Sequence, residues 1–113
     1  MDWSEHSPLN GELISVDFEV FGKVQGVSYR KYAVAAAEKF NVRGWCKNTA
    51  KGSVRGNIEG PKAQVYLMKD WIRNEGSPYS KTESVEFGME INIPSYKYTD
   101  FSSMEEEDKE EEN

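Results

Sequence analysis

From Ile14 to Val20 the apolar residues Ile14, Val16, Phe18 and Val20 alternate with Ser15, Asp17 and Glu19. This period of two is the signature of a strand with one buried face. Gly22 and Gly26 interrupt it, and from Tyr29 onward Tyr29, Ala33, Ala36, Ala37 and Phe40 recur at helical spacing, so a glycine-bearing loop joins the first strand to a first helix. Tyr29, Tyr32 and Phe40 are expected in the helix core. Gly44 and Trp45 lead into a short strand through Lys47, Asn48-Thr49-Ala50-Lys51-Gly52 has turn composition, and Ser53 to Glu59 returns as the partner strand of a hairpin. Gly60-Pro61 puts proline where the first position of a helix tolerates it, and Val65, Met68 and Ile72 then share a face until Gly76-Ser77-Pro78 ends the run. Val85, Phe87, Met89 and Ile91 alternate as a further strand, and Tyr96, Tyr98 and Phe101 suggest a last edge segment after Pro94. The order βαββαβ with a short extra C-terminal strand predicts an α+β, ferredoxin-like sandwich, with a mostly antiparallel sheet and two helices on one face.

A chain of 113 residues, 37% of them hydrophobic, suits a single core. Its longest uninterrupted apolar run, Tyr32 to Ala37, is far too short for a bilayer. The N-terminal sequence lacks the basic start and apolar stretch of a secretion signal, so the expected location is the cytoplasm. One cysteine, Cys46, excludes an intramolecular disulfide, and with His6 the only histidine neither a metal nor another cofactor is expected. Residues 1–12 read as a flexible leader, 13–103 as the folded domain and 104–113 as an acidic, disordered tail.

The formal charge of −6 belongs to that tail, because Glu105 to Asn113 carry seven acids and one lysine, leaving 13 basic and 13 acidic residues in positions 1 to 104. Within the neutral body, Gly22 to Arg55 hold eight basic residues (Lys23, Arg30, Lys31, Lys39, Arg43, Lys47, Lys51, Arg55) against the single acid Glu38. An anion is the natural partner of such a stretch. A solvated basic face without a ligand is the bland alternative.

The segment Gly22-Lys23-Val24-Gln25-Gly26-Val27-Ser28-Tyr29-Arg30 focuses the anion reading. Successive backbone N–H groups entering a helix converge on an anion, the helix start carries positive partial charge, and glycine lets the backbone approach phosphate closely. No Gly-Lys-Ser/Thr ends the loop and GxGxxG spacing is missing, so a nucleotide is not indicated. Arg30, in the first helical turn, places a planar guanidinium where it can take two oxygens of an anion held by the loop. Taken alone it reads equally as a surface arginine of an amphipathic helix.

Together with Gly44-Trp45-Cys46-Lys47-Asn48-Thr49 and Lys51-Gly52-Ser53-Val54-Arg55-Gly56, this loop resembles acylphosphatase, and the likeness runs from about Val16 to Phe101 through Gly60-Pro61, Trp71-Ile72 and Gly76-Ser77-Pro78. The resemblance implies the ferredoxin-like fold and hydrolysis of small-molecule acyl phosphates to carboxylate and phosphate, with no metal and no covalent enzyme intermediate. It further implies that Arg30 binds the phosphate and that the backbone of Gln25, Gly26, Val27, Ser28, Tyr29 and Arg30 cradles it. Asn48 then orients the attacking water; on spacing alone it would be an ordinary turn residue. Thr49 and Lys51 are expected to shape the turn and Cys46 to be a passive packing residue.

Lys23, Ser28 and Tyr29 stand where the family more usually has arginine, cysteine and phenylalanine, changes compatible with a backbone role for the loop. After Phe101 the family commonly continues with an isoleucine and a basic-aromatic end, whereas here Ser102-Ser103-Met104 runs into Glu105. A short last strand and a stability loss of roughly 1–3 kcal/mol are therefore expected. Two other functions compete. RNA-recognition domains share the topology, but Ser53 to Glu59 offers no aromatic for base stacking and the body is neutral, so neither nucleic acid nor membrane is an expected partner. A catalytically weak relative would act instead through a partner of its acidic tail. The tail would also screen the basic loop and compete with anionic substrates. A monomer is expected, and the acyl group is left undefined because every implied contact addresses phosphate.

Overall fold

The computed structural model describes residues 12–104; the leader with His6 and the acidic tail from Glu105 onward lie outside the described residues. Strands β1 (Leu13–Lys23), β2 (Arg43–Asn48), β3 (Val54–Pro61), β4 (Lys81–Phe87), β5 (Ile91–Ile93) and β6 (Phe101–Ser103) form one sheet, with helices α1 (Tyr29–Phe40) and α2 (Lys62–Asn74) in the two crossovers. The order is β4-β1-β3-β2-β6, and β5 also pairs with β1. All pairs are antiparallel except β2 with β6. This is the α+β, ferredoxin-like architecture expected from the order of elements.

The alternation in β1 fixes which face is which. Ile14, Val16, Phe18 and Val20 are buried beneath the helices, paired across to Gly60, Ile58, Gly56 and Val54 of β3. From α1 come Tyr29, Ala33, Ala36 and Ala37, and from α2 Val65, Met68, Trp71 and Ile72. The three alanines let α1 lie close to the sheet, and Tyr32, at the border of this stripe, turns out to solvent with 43% exposure rather than joining the core. Phe40 packs against the core only in part. Pro61 ends β3 and caps α2 from outside, so the helix starts one residue later than the proline suggested. Among the described residues no helix is long and apolar enough to cross a membrane.

The predicted strand through Val85, Phe87, Met89 and Ile91 is broken. Between the pairs Phe18–Phe87 and Ser15–Ile91, β1 spends Val16 and Asp17 while its partner spends Gly88, Met89 and Glu90. One extra residue reverses the faces, which leaves Met89 and Ile91 exposed at 81% and 57%. Gly88 N–H holds the crossing point by donating to Asp17 O at 2.8 Å.

Tyr96 and Tyr98 are likewise not in a strand. Their segment carries the chain from β5, beside one end of β1, to β6 on the far edge. Glu59, fully buried on β3, anchors it by accepting the N–H groups of Lys97 and Tyr98 at Oε2 (2.9 and 2.8 Å). Arg43 lies over the Tyr96 ring at 3.7 Å, its Nη1 donating to Tyr98 O at 3.0 Å, and Trp45 Nε1 donates to Tyr98 Oη at 3.2 Å. β6 has three residues, as short as the sequence suggested, and buries Phe101. Removing the Glu59 acceptor strands two N–H donors. Glu59→Ala is expected to lose about 1–3 kcal/mol in urea denaturation, and Glu59→Gln, which keeps an acceptor oxygen, less. Unchanged stability of Glu59→Ala would contradict this role for the carboxylate.

Candidate active site

The loop between β1 and α1 is held from outside by its side chains and carbonyls. Gln25 Nε2 donates to Thr49 O at 2.9 Å and Ser53 O at 2.8 Å, tying the loop to the ends of the β2–β3 turn. Ser77 Oγ, just past α2, donates to Val27 O at 2.8 Å, and Tyr32 N–H to Ser28 O at 3.1 Å. Gly26 (φ 74°) and Ser28 (φ 60°) both sit in the left-handed region, a conformation glycine adopts freely and serine less readily. Among the described residues, no backbone N–H from Gln25 to Arg30 donates to a protein acceptor outside the helix, and Ser28 caps α1 without a side-chain bond. A run of free donors thus enters the positive end of a helix.

A cavity of about 430 Å³ is lined by Val24, Gly26, Ser28, Tyr29, Arg30, Lys31, Asn48 and Ser103. The sequence-predicted residues Gly26, Ser28, Tyr29, Arg30 and Asn48 therefore come together, although Asn48 is separated from the loop by the whole of α1. Strand β2 brings it back, at the end of the strand beside the buried turn residues Thr49 and Ser53. Thr49 Oγ1 and Ser53 Oγ lie 2.6 Å apart, Thr49 N–H donates to Ser53 O at 2.9 Å, and Ser53 Oγ donates to Glu19 Oε2 at 2.5 Å. Thr49 is thus a turn-shaping residue; Lys51 is exposed and pairs with Glu19 at 3.4 Å. Gln25 and Val27 do not line the cavity, and their contacts support the loop.

Three contributors escape the sequence reading. Lys31 and Ser103 line the cavity, and Met104 supplies the acceptor for Arg30, whose Nη1 donates to Met104 O at 2.5 Å. The parallel pairing of β6 with β2 creates this contact, and Met104 N–H donates to Cys46 O at 2.8 Å to complete it. A three-residue parallel strand leaves no periodic trace that could have announced it. Among the described residues the bond to Met104 takes one of the five Arg30 donors, which leaves others to face an anion.

The basic stretch is dispersed rather than collected. Of its eight cations only Arg30 and Lys31 line this cavity; Lys47 and Arg55 line a second one, of about 520 Å³, with Asp17, Glu19 and Glu86 on the sheet face opposite the helices. That mixed-charge face does not present a uniform field to a polyanion. Among the described residues no group of three His, Cys, Asp or Glu is placed to hold a metal ion.

A model of the acylphosphatase family matches residues 16–103. The chain is 47% identical to acylphosphatase-2 of Homo sapiens over 90 residues, 80% of this chain and 91% of that protein. It is 46% identical to acylphosphatase-1 of Drosophila melanogaster over 87 residues, 77% of this chain and 72% of that one. The solved structure of an acylphosphatase from Coxiella burnetii superposes with a TM-score of 0.73 at 28% identity, covering 82% of this chain and 94% of the other.

Cys46 lies fully buried on β2, and burial pushes its thiol up to about 12, opposed by the Arg30 guanidinium. Burial also raises the Tyr29 hydroxyl well above its ordinary value, with the nearby Cys46 adding to the effect; its ring packs against Trp71 at 5.4 Å. Cys46 is therefore a protonated packing residue and no nucleophile. The folded thiol keeps its proton to about 12, whereas an unfolded one releases it near 9.0. Between those values the unfolded chain binds fewer protons, so this contribution is complete below pH 9 and stability falls as pH rises from about 9 toward 12. Urea denaturation should show that decline, and Cys46→Ala should reduce its slope. A slope identical in Cys46→Ala would contradict the assignment.

Proposed function

Because the chain belongs to the acylphosphatase family and is a hydrolase of that kind, we propose that its phosphate site is the backbone from Gln25 to Arg30 closed by the Arg30 guanidinium, with Asn48 orienting the attacking water. The observation that carries this reading is the run of loop N–H groups that have no protein acceptor among the described residues, bordering a cavity that Arg30 and Asn48 both line. Phosphoryl oxygens take the place of the missing acceptors, and the remaining Arg30 donors neutralise charge on them.

An acyl phosphate is an activated anhydride, so position and charge stabilisation suffice. The water oxygen, held by the Asn48 amide, forms a bond to phosphorus opposite the acyl oxygen. The P–O bond to the acyl group breaks, and the carboxylate departs with the electron pair. The proton of the water passes to a phosphoryl oxygen, which removes the need for a protein base. An amide suits this task because it accepts from water and donates elsewhere without titrating. All these groups come from one chain, which supports a monomer as the working unit, and a single buried free thiol fits the cytoplasm. Neither metal nor cofactor enters the proposed chemistry.

Hydrolysis of benzoyl phosphate in the presence of a chelator tests the assignment. Arg30→Ala should lose at least ~3–4 kcal/mol of transition-state stabilisation, hundreds-fold in rate, and Arg30→Lys nearly as much, because a point charge cannot replace the fork. Asn48→Ala should lower kcat about a hundredfold with little change in KM. Rates within threefold of wild type for either Arg30 variant would defeat the site. A folded wild type without turnover would instead leave the chain an inactive relative working through its tail.

A further inference from the structure

The described part of the chain ends at the proposed anion site. Ser103, the last residue of β6, lines the cavity, and Met104 is fixed there by two bonds, its N–H on Cys46 O and its carbonyl on Arg30 Nη1. The next residue is Glu105, the first of seven acids in Glu105–Asn113, a segment with a net charge of −6. Three residues of chain reach no further than about 10 Å from their point of attachment. The screening length is also about 10 Å at 0.1 M ionic strength. Covalent attachment alone therefore limits Glu105, Glu106 and Glu107 to within about one screening length of Met104, whatever conformation they take.

Among the described residues, the site they border is cationic and lined by no acidic side chain. Arg30 and the exposed Lys31 are the charged residues lining the cavity, and the loop adds N–H groups that have no acceptor among the described residues. A tethered ligand on a short linker acts at an effective concentration in the millimolar range. Resting on the phosphate site proposed above, we propose that Glu105–Asn113 is an internal competitor for it: the carboxylates offset the field of Arg30 and Lys31 and raise the KM for anionic substrates at low ionic strength. The chemical step, which begins only once the phosphoryl group is seated, is untouched. The enzyme is thereby tuned by ionic strength through a segment that contributes nothing to the reaction itself.

Truncation is a poor test, since cutting after Met104 would create a new α-carboxylate next to Arg30. The suitable variant retains the full chain and replaces all seven acids of the segment by their amides, Glu→Gln and Asp108→Asn. Benzoyl phosphate kinetics and titration with inorganic phosphate are each measured at about 20 mM and about 0.5 M salt, on either side of the screening regime. In the amide variant KM and the phosphate Kd should fall about three- to tenfold at low salt, converge with wild type at high salt, and leave kcat unchanged. The triple variant Glu105→Gln, Glu106→Gln, Glu107→Gln should recover most of the gain. Equal KM and Kd for wild type and the amide variant at low salt would overturn the proposal, as would a difference that persists at high salt. If neither protein turns over but the variant binds phosphate more tightly, competition stands and the catalytic reading falls. If both turn over with the same KM, the catalytic reading stands and competition falls.

Discussion

One side-chain amide couples the two halves of the site. Gln25 reaches from the β1–α1 loop to the carbonyls of Thr49 and Ser53, and so sets the distance between the proposed phosphate cradle and the turn next to Asn48. The acceptors of the loop are taken up as well, Val27 O by Ser77 and Ser28 O by Tyr32. Its donors are left over. That asymmetry, carbonyls tied into the fold and N–H groups without acceptors among the described residues, is what would let a segment of ordinary backbone serve as the proposed anion receptor.

The remaining architecture keeps this arrangement rigid. Tyr29 wedges the start of α1 against Trp71, and α2 ends where Ser77 can reach the loop. On the other side, the fully buried Glu59 carboxylate anchors the segment crossing the open face, which delivers β6 to the edge of β2 and Met104 to Arg30. A buried polar side chain on the face away from the helices thus bears on the orientation of a guanidinium at the candidate site. The proposed chemistry asks for little beyond that order: a good leaving group, donors in the right place and a positioned water. Cys46, near enough to feel the Arg30 guanidinium, is kept protonated by its burial.

Local periodicity carried most of the fold. The alternation in β1, the helical spacing from Tyr29 and the turn composition at Asn48–Gly52 each reflect burial on one face, so the structure returns them with small shifts. What failed involved contacts between distant segments. The alternation through Val85, Phe87, Met89 and Ile91 continues unbroken in sequence, yet one extra residue in the pairing with β1 reverses its faces, and alternation cannot register such an insertion. Tyr96 and Tyr98 looked like a strand because aromatic residues favour sheets, but Glu59 and Arg43 hold them in an irregular crossing. For the candidate site, a family resemblance singled out Arg30 and Asn48 and local geometry singled out Gly26, and the three line one cavity. Lys31, Ser103, Met104 and the side-chain role of Gln25 were not legible, because each depends on where the chain returns. The +7 stretch was real as a sum and misleading as a surface, since its cations divide between two faces.

The most direct test of the central claim is to follow the backbone amide resonances during titration with inorganic phosphate. If the loop donors are the receptor, saturable shifts should concentrate in Gly26 to Arg30, with the Arg30 side-chain N–H signals moving in step and the amides of Asp17, Arg55 and Glu86 on the opposite face unmoved. Shifts centred on that opposite face, or none in the loop at saturating phosphate, would contradict the account.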